Sequence, residues 1–183
     1  KMTKKKIIKM AICYDFDGTL SPQYMQNVSF LPKLGYSDPK EFWKEVKTYA
    51  KQQNMDETLA YMNLMIDKAK EKNIALTARF LMECGKNITF FPGVLDWFNR
   101  INAYAKSKGI LLEHYIITSG NEEIIRGTKI NKFFKYIFAC KFSYKRIYSD
   151  LVAEKPAAAV NYTNKTQHLF RINKGILNYW QNE

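Results

Sequence analysis

A short, nearly continuous apolar run, Ile7, Ile8, Met10, Ala11, Ile12, Cys13 and Tyr14, leads straight into Asp15-Phe16-Asp17-Gly18-Thr19. An apolar run of this length, bounded by turn residues, reads as a strand buried on both faces, the kind that fills a parallel sheet. The two carboxylates then stand at the strand's carboxyl end, which is where open parallel sheets bind ligands. Like charges one residue apart repel, so the pair is costly unless a cation or a proton sits between them. The sequence therefore predicts an α/β protein with its site at this strand end.

From Ser21 to about Ile88 the chain turns Met-rich, Lys-rich and helical. Asp38-Pro39-Lys40-Glu41 is a helix start, with an N-cap, a first-turn proline and a capping-box glutamate. Asp56 can cap a second helix and Thr77 a third, which Gly85 would stop. Strand logic then resumes. Pro92 and Gly93 open an amphipathic helix that Gly109 ends, Ile110 to Thr118 is a second apolar strand running into Ser119-Gly120, and YIFACKFSY is a third. A last helix begins near Lys165. Alternating strands and helices predict a parallel sheet with helices on both faces. The domain reading is a core of residues 1–20 and 88–183, interrupted by a small helical insertion at 21–87.

The 183 residues carry 29 Lys and Arg against 17 acids, a net charge of +12 that draws anions without choosing among phosphorylated metabolites, nucleic acid and anionic lipid. The densest basic run, Lys1, Lys4, Lys5, Lys6 and Lys9, reads as a solvated lead-in to the first strand, and Met2 as the native start. No apolar run approaches the roughly 18 residues of a membrane helix. Lys9 interrupts the short N-terminal apolar stretch, and Asp15 and Asp17 follow it without a small-residue cleavage site, which predicts a cytoplasmic protein; Cys13, Cys84 and Cys140, widely spaced and odd in number, are expected to be free buried thiols. His114 and His168 have no metal-ligand partner nearby in sequence and are expected to be structural.

DFDGTL after an apolar strand resembles the first motif of the haloacid dehalogenase (HAD)-like hydrolases, and YIITSG resembles their second. TNKTQHLFRI places a lysine at a helix start as the phosphoserine phosphatase-like branch does. The resemblance implies an α/β Rossmann-like core, a parallel sheet flanked by helices, with 21–87 as a helical cap. It makes Asp15 the nucleophile and Asp17 the acid and base, with Mg2+ held by Asp15 and Asp17. Gly18, Thr19, Ser119 and Gly120 are then expected around the phosphate. Lys165 is the expected motif lysine, with Lys155, before Pro156, as the competing choice. Asp17 argues against dehalogenase chemistry, which needs no proton donor there.

The fourth motif of the family, an acidic pair after a further strand, has no match in the sequence. The reading drawn from this is that the chain is an N-terminal piece of a longer protein, with Asp150 or Glu154 as substitute ligands in the alternative case. The expected function is Mg2+-dependent hydrolysis of a small phosphorylated metabolite through an aspartyl-phosphate, with phosphotransfer left open. No membrane partner is expected, nor nucleic acid. The alternative is a catalytically silent, basic binding module for nucleic acid or an acidic partner.

Overall fold

The structure is a computed structural model and describes residues 7–181. The basic lead-in at Lys1, Lys4, Lys5 and Lys6, and the proposed start at Met2, lie outside the described residues. Four strands form one sheet: β1 (Ile8–Tyr14), β2 (Ile110–Asn121), β3 (Tyr136–Ile147) and β4 (Asp150–Ala158), in the order β1-β2-β3-β4. β1 and β2 are parallel, with Ile8 opposite Ile110 and Tyr14 opposite Ile116. β2 and β3 are also parallel. β4 returns antiparallel to β3, because the short Tyr148-Ser149 link reverses the chain and cannot make the long crossover a parallel partner needs. The sheet is thus mixed, parallel through its first three strands.

One expectation is overturned. β1 is not buried on both faces: it stands at the sheet edge, β2 is its only neighbour among the described residues, and Ile8 and Met10 are 58% and 49% exposed. An edge strand has one ladder, so its apolar run does not guarantee burial. Only its carboxyl end is covered, where Tyr14 accepts a hydrogen bond from Trp97 Nε1 at 2.8 Å and its hydroxyl lies 3.0 Å from His114 Nδ1. His114 Nε2 lies 2.9 Å from Asn102 Oδ1, so both ring nitrogens are used structurally.

Between β1 and β2 a π-helical turn (Gln26–Phe30) runs into α1 (Leu31–Lys33), followed by α2 (Pro39–Gln53), α3 (Glu57–Glu71), α4 (Ala78–Gly85) and α5 (Val94–Ser107). The caps are those the sequence announces. Asp38 accepts from Lys40 N, Asp56 from Thr58 N and Leu59 N, and Thr77 from Phe80 N. α6 (Glu122–Arg126) follows β2, and α7 (Lys165–Lys174) follows β4. A single apolar cluster joins the sheet to the inserted helices, from Ile116 and Phe138 through Phe16 and Met25 to Phe42, Met62 and Leu81. The insertion therefore shares its core with the sheet. A backbone bond from Ala153 N to Leu76 O, 2.8 Å, ties it also to β4. No helix among the described residues is long and apolar enough to cross a membrane.

Candidate active site

The turn after β1 explains how two carboxylates come to share one face. Phe16, fully buried, points into the core, so its neighbours Asp15 and Asp17 point the other way. The Phe16 carbonyl accepts from Thr19, Leu20 and Ser21 N, and Gly18 N donates to Ser21 O at 2.7 Å. Gly18 holds φ +76° in this turn, a conformation a side chain would strain.

Asp15 Oδ1 accepts from Phe16 N at 2.8 Å, and Oδ2 accepts from Lys165 Nζ at 2.7 Å. Asp17 Oδ1 accepts from Met25 N at 3.1 Å. Burial pushes the Asp17 carboxyl up to about 7; the Met25 amide opposes the rise, the Asp15 charge adds to it and the Lys165 charge opposes it. The two acids thus differ in kind. Both are half-buried, but Asp15 is ion-paired with Lys165, whereas desolvation holds the Asp17 carboxyl well above the usual carboxylate range.

Lys165 is the first residue of α7, and a compact loop presents it. Asn161 Oδ1 accepts from Thr163 N and Asn164 N, while Asn164 Oδ1 accepts from Asn161 N at 2.9 Å. Asn161 Nδ2 donates to Asp56 Oδ2 at 2.8 Å, which fastens this loop to the start of α3. Lys155 lies elsewhere, exposed on β4 opposite Ser143. Of the two competing lysines, only Lys165 meets the aspartates.

Asp15, Asp17, Ser119, Gly120 and Lys165 line one cavity of about 660 Å³. Ser119 lies near the carboxyl end of β2, its carbonyl accepting from Tyr61 Oη at 2.7 Å. The Gly120 amide donates to Thr118 Oγ1 at 3.2 Å, so it already has a partner within the protein. Gly18 and Thr19 are exposed on the turn and do not line the cavity. The sequence missed the opposite wall, which the insertion supplies through Tyr24, Trp43, Asp56, Glu57 and Tyr61. Asp56 carried a signal only as a helix cap. His168 is buried against Phe138, with ring centroids 4.6 Å apart, away from this cavity.

Asp15 and Asp17 offer hard oxygens side by side, and a cation between them would relieve the repulsion that helps raise the Asp17 carboxyl. Among the described residues no group of three or more His, Cys, Asp or Glu side chains could hold a metal. The pair fits an ion that shares the substrate's phosphate and keeps waters, which is how magnesium is commonly bound, and does not fit one caged by protein alone. Asp150 lies in the β3–β4 hairpin and Glu154 on β4, and neither lines the cavity.

No protein-family model matches the chain. The chain is 29% identical over 187 residues to an uncharacterized protein of Borreliella burgdorferi, covering 91% of this chain and 65% of that protein. In structure it is similar to a HAD family hydrolase of Salmonella enterica serovar Typhi, with TM-score 0.62 and 19% identity over 91% of this chain and 51% of that one. It is also similar to a phosphoserine phosphatase in a phospho-aspartyl intermediate analogue state, with TM-score 0.56 and 16% identity over 92% of this chain and 74% of that one. The chain thus spans about half the length of the Salmonella hydrolase and just under two thirds of the Borreliella protein. The likeness is one of fold, the HAD-like α/β core with its Rossmann-like sheet.

Proposed function

We propose that this chain is a cytoplasmic, Mg2+-dependent phosphatase that hydrolyses a phosphomonoester through an aspartyl-phosphate on Asp15, with the helical insertion at 21–87 as its cap. The observation that carries the reading is the Lys165 Nζ to Asp15 Oδ2 ion pair of 2.7 Å beside Asp17, whose carboxyl desolvation raises to about 7, all three lining a cavity of about 660 Å³. A carboxylate nucleophile paired with a lysine and flanked by a proton-exchanging acid is the minimum set for two-step phosphoryl transfer.

In the first step an Asp15 oxygen attacks phosphorus and the bond to the ester oxygen breaks. Asp17, protonated near neutral pH, gives its proton to that leaving oxygen. In the second step the Asp17 carboxylate takes a proton from water as the water attacks phosphorus. The bond to Asp15 then breaks and phosphate leaves. Lys165 offsets the charge that accumulates on the transferring group, and the Ser119 hydroxyl donates to a phosphate oxygen. A magnesium ion held by Asp15 and Asp17 would polarise the phosphoryl oxygens when bound. The insertion supplies the wall of the cavity that faces the aspartates.

Magnesium-dependent hydrolysis of an aryl phosphate tests the reading, with Asp15→Asn as the control. Wild type should acquire a phosphoryl mass adduct that Asp15→Asn lacks. Absence of both turnover and adduct would reject the enzyme in favour of the silent binding module, the reading favoured by the lack, among the described residues, of three or more His, Cys, Asp or Glu side chains grouped to hold a metal.

A further inference from the structure

A second cavity, of about 640 Å³, adjoins the first. Tyr24, Trp43 and Glu57 line both, so the two share a boundary. The outer one is walled by α2, whose Lys40, Lys44, Lys47 and Lys51 all face it. Steps of four, three and four residues put them in one row on the helix. All four are exposed, and none makes an ion pair among the described residues. Among the described residues Glu57 is the only acid lining this groove, while Glu45 of α2 is engaged with Lys68 at 2.9 Å and Tyr36 at 3.0 Å. Like charges at these spacings weaken a helix, so the row carries a standing cost in the free protein.

The junction of the cavities is aromatic. Trp43 is fixed by its Nε1 donating to Asn27 Oδ1 at 2.8 Å, and the Tyr24 ring meets it edge-on with centroids 5.5 Å apart. Tyr24 is 56% exposed. From Lys40 to Lys51 the helix rises about 16 Å, several times the ~3.4 Å advance per nucleotide of a stacked strand. A small phosphorylated metabolite would fill the first cavity and leave this row unused. An acidic peptide would answer the lysines, but it supplies no flat ring for the aromatic junction. A row of cations beginning at an aromatic platform is the arrangement by which proteins hold single strands.

We propose that the substrate of this site is a phosphomonoester at the end of a short single-stranded nucleic acid, its terminal base against Tyr24 and Trp43 and its following phosphates along the lysines of α2. This rests on the phosphatase reading and names its substrate class.

The test uses Asp15→Asn protein, to prevent turnover, and fluorescence anisotropy with a terminally phosphorylated oligothymidylate. Four lysine contacts give a slope of log affinity against log salt of about −2.8, from about −0.7 per contact on single strands. Lys44→Glu/Lys47→Glu should cut the slope to about −1.4 and weaken binding roughly tenfold or more. Lys129→Glu/Lys132→Glu makes the same change in net charge at residues lining neither cavity, and should bind as the parent does. Tyr24→Ala should lose roughly fivefold or more, the low end of base–aromatic stacking. Equal losses from the two lysine pairs would overturn the proposal, as would equal affinity for tripolyphosphate, polyglutamate or a nucleoside bisphosphate. If wild type hydrolyses aryl phosphate but the oligonucleotide does not bind, the groove assignment falls alone. If the oligonucleotide binds through the lysines and no phosphate ester is hydrolysed, the phosphatase reading falls and the groove stands.

Discussion

Lys165 Nζ sits 2.7 Å from Asp15 Oδ2, joining the start of α7 to the end of β1 across 150 positions of sequence. The contact is set by two independent local devices. The Phe16 anchor turns Asp15 outward, and the Asn161–Asn164 exchange of hydrogen bonds fixes where α7 begins. Neither device involves the ion pair itself, so the pair is positioned rather than structural.

Lys165→Met should therefore separate activity from stability. Removing a cation from the transferring phosphoryl group is expected to lower kcat/KM by about 10²–10³-fold, the scale of losing one such donor. Stability should change by less than about 1 kcal/mol, because the pair is partly open to solvent and such pairs contribute little. Single-turnover kinetics and urea unfolding on the same preparation check both halves.

The raised Asp17 carboxyl has a consequence for stability in metal-free protein. Its folded value, about 7, lies above the ordinary carboxylate value, so between about pH 4 and pH 7 the native state holds a proton that the unfolded chain does not. Stability is lost as pH rises through that window. Asp17→Asn keeps an oxygen for Met25 N and abolishes the ionisation. The variant should match wild type near pH 4 and exceed it by about 2–4 kcal/mol at pH 8, as chemical unfolding in chelator would show. Equal stabilities at pH 8 would mean that Asp17 ionises freely.

The parts legible in sequence are those governed by local pattern. Asp38, Asp56 and Thr77 cap helices because an N-cap needs only its own next few residues. Asp15 and Asp17 stand together because a strand end and one glycine turn suffice. What was not legible depends on which surfaces meet. The same apolar run serves an edge strand or a central one, so the exposure of Ile8 and Met10 could not be read from it. Trp43, Tyr61 and Asn161 reach the cavity only because the insertion packs onto β2 and the α7 loop, contacts between residues as far apart as Asp56 and Asn161. The four lysines of α2 share one row by helical spacing alone, but the groove they line depends on Tyr24 and Glu57 from outside that helix.

His168 provides a pH test away from the site. It is buried on α7, stacked on Phe138, and neither ring nitrogen has a hydrogen-bond partner among the described residues. Burial, with help from the Arg171 charge, lowers it to about 4. Below its unfolded value of about 6.5 the unfolded chain gains a proton that the native state refuses, so stability contributed by the neutral ring is lost as pH falls from there to about 4. His168→Phe retains a flat ring and removes the titration. Its stability relative to wild type should rise by about 1–2 kcal/mol between pH 7 and pH 5, as thermal unfolding at the two values would show. A constant difference would mean that the histidine is charged inside the fold.

The seam between α4 and α6 is where one methyl group should do the most harm. A Cβ at Gly127 would overlap the Met82 carbonyl, and one at Gly85 would overlap the Ile124 carbonyl, so each helix approaches the other through its own glycine. The sequence marks Gly85 as a helix stop, and it does end α4, yet this close approach is the stronger demand on it. Backbone atoms, unlike the end of a flexible side chain, cannot step aside without moving the helix. Gly127→Ala should therefore cost about 3 kcal/mol or more, as overpacking against a rigid neighbour does at its upper end. Gly109→Ala is the comparison: its Cβ would meet nothing within 4 Å, so only the strain of φ +70° remains, about 1 kcal/mol. Because α6 continues directly from β2, which carries Ser119, the displaced seam should also lower turnover in Gly127→Ala while Gly109→Ala leaves it unchanged. Urea midpoints and initial rates measured together decide it, and equal costs at the two glycines would show that the helices part without resistance.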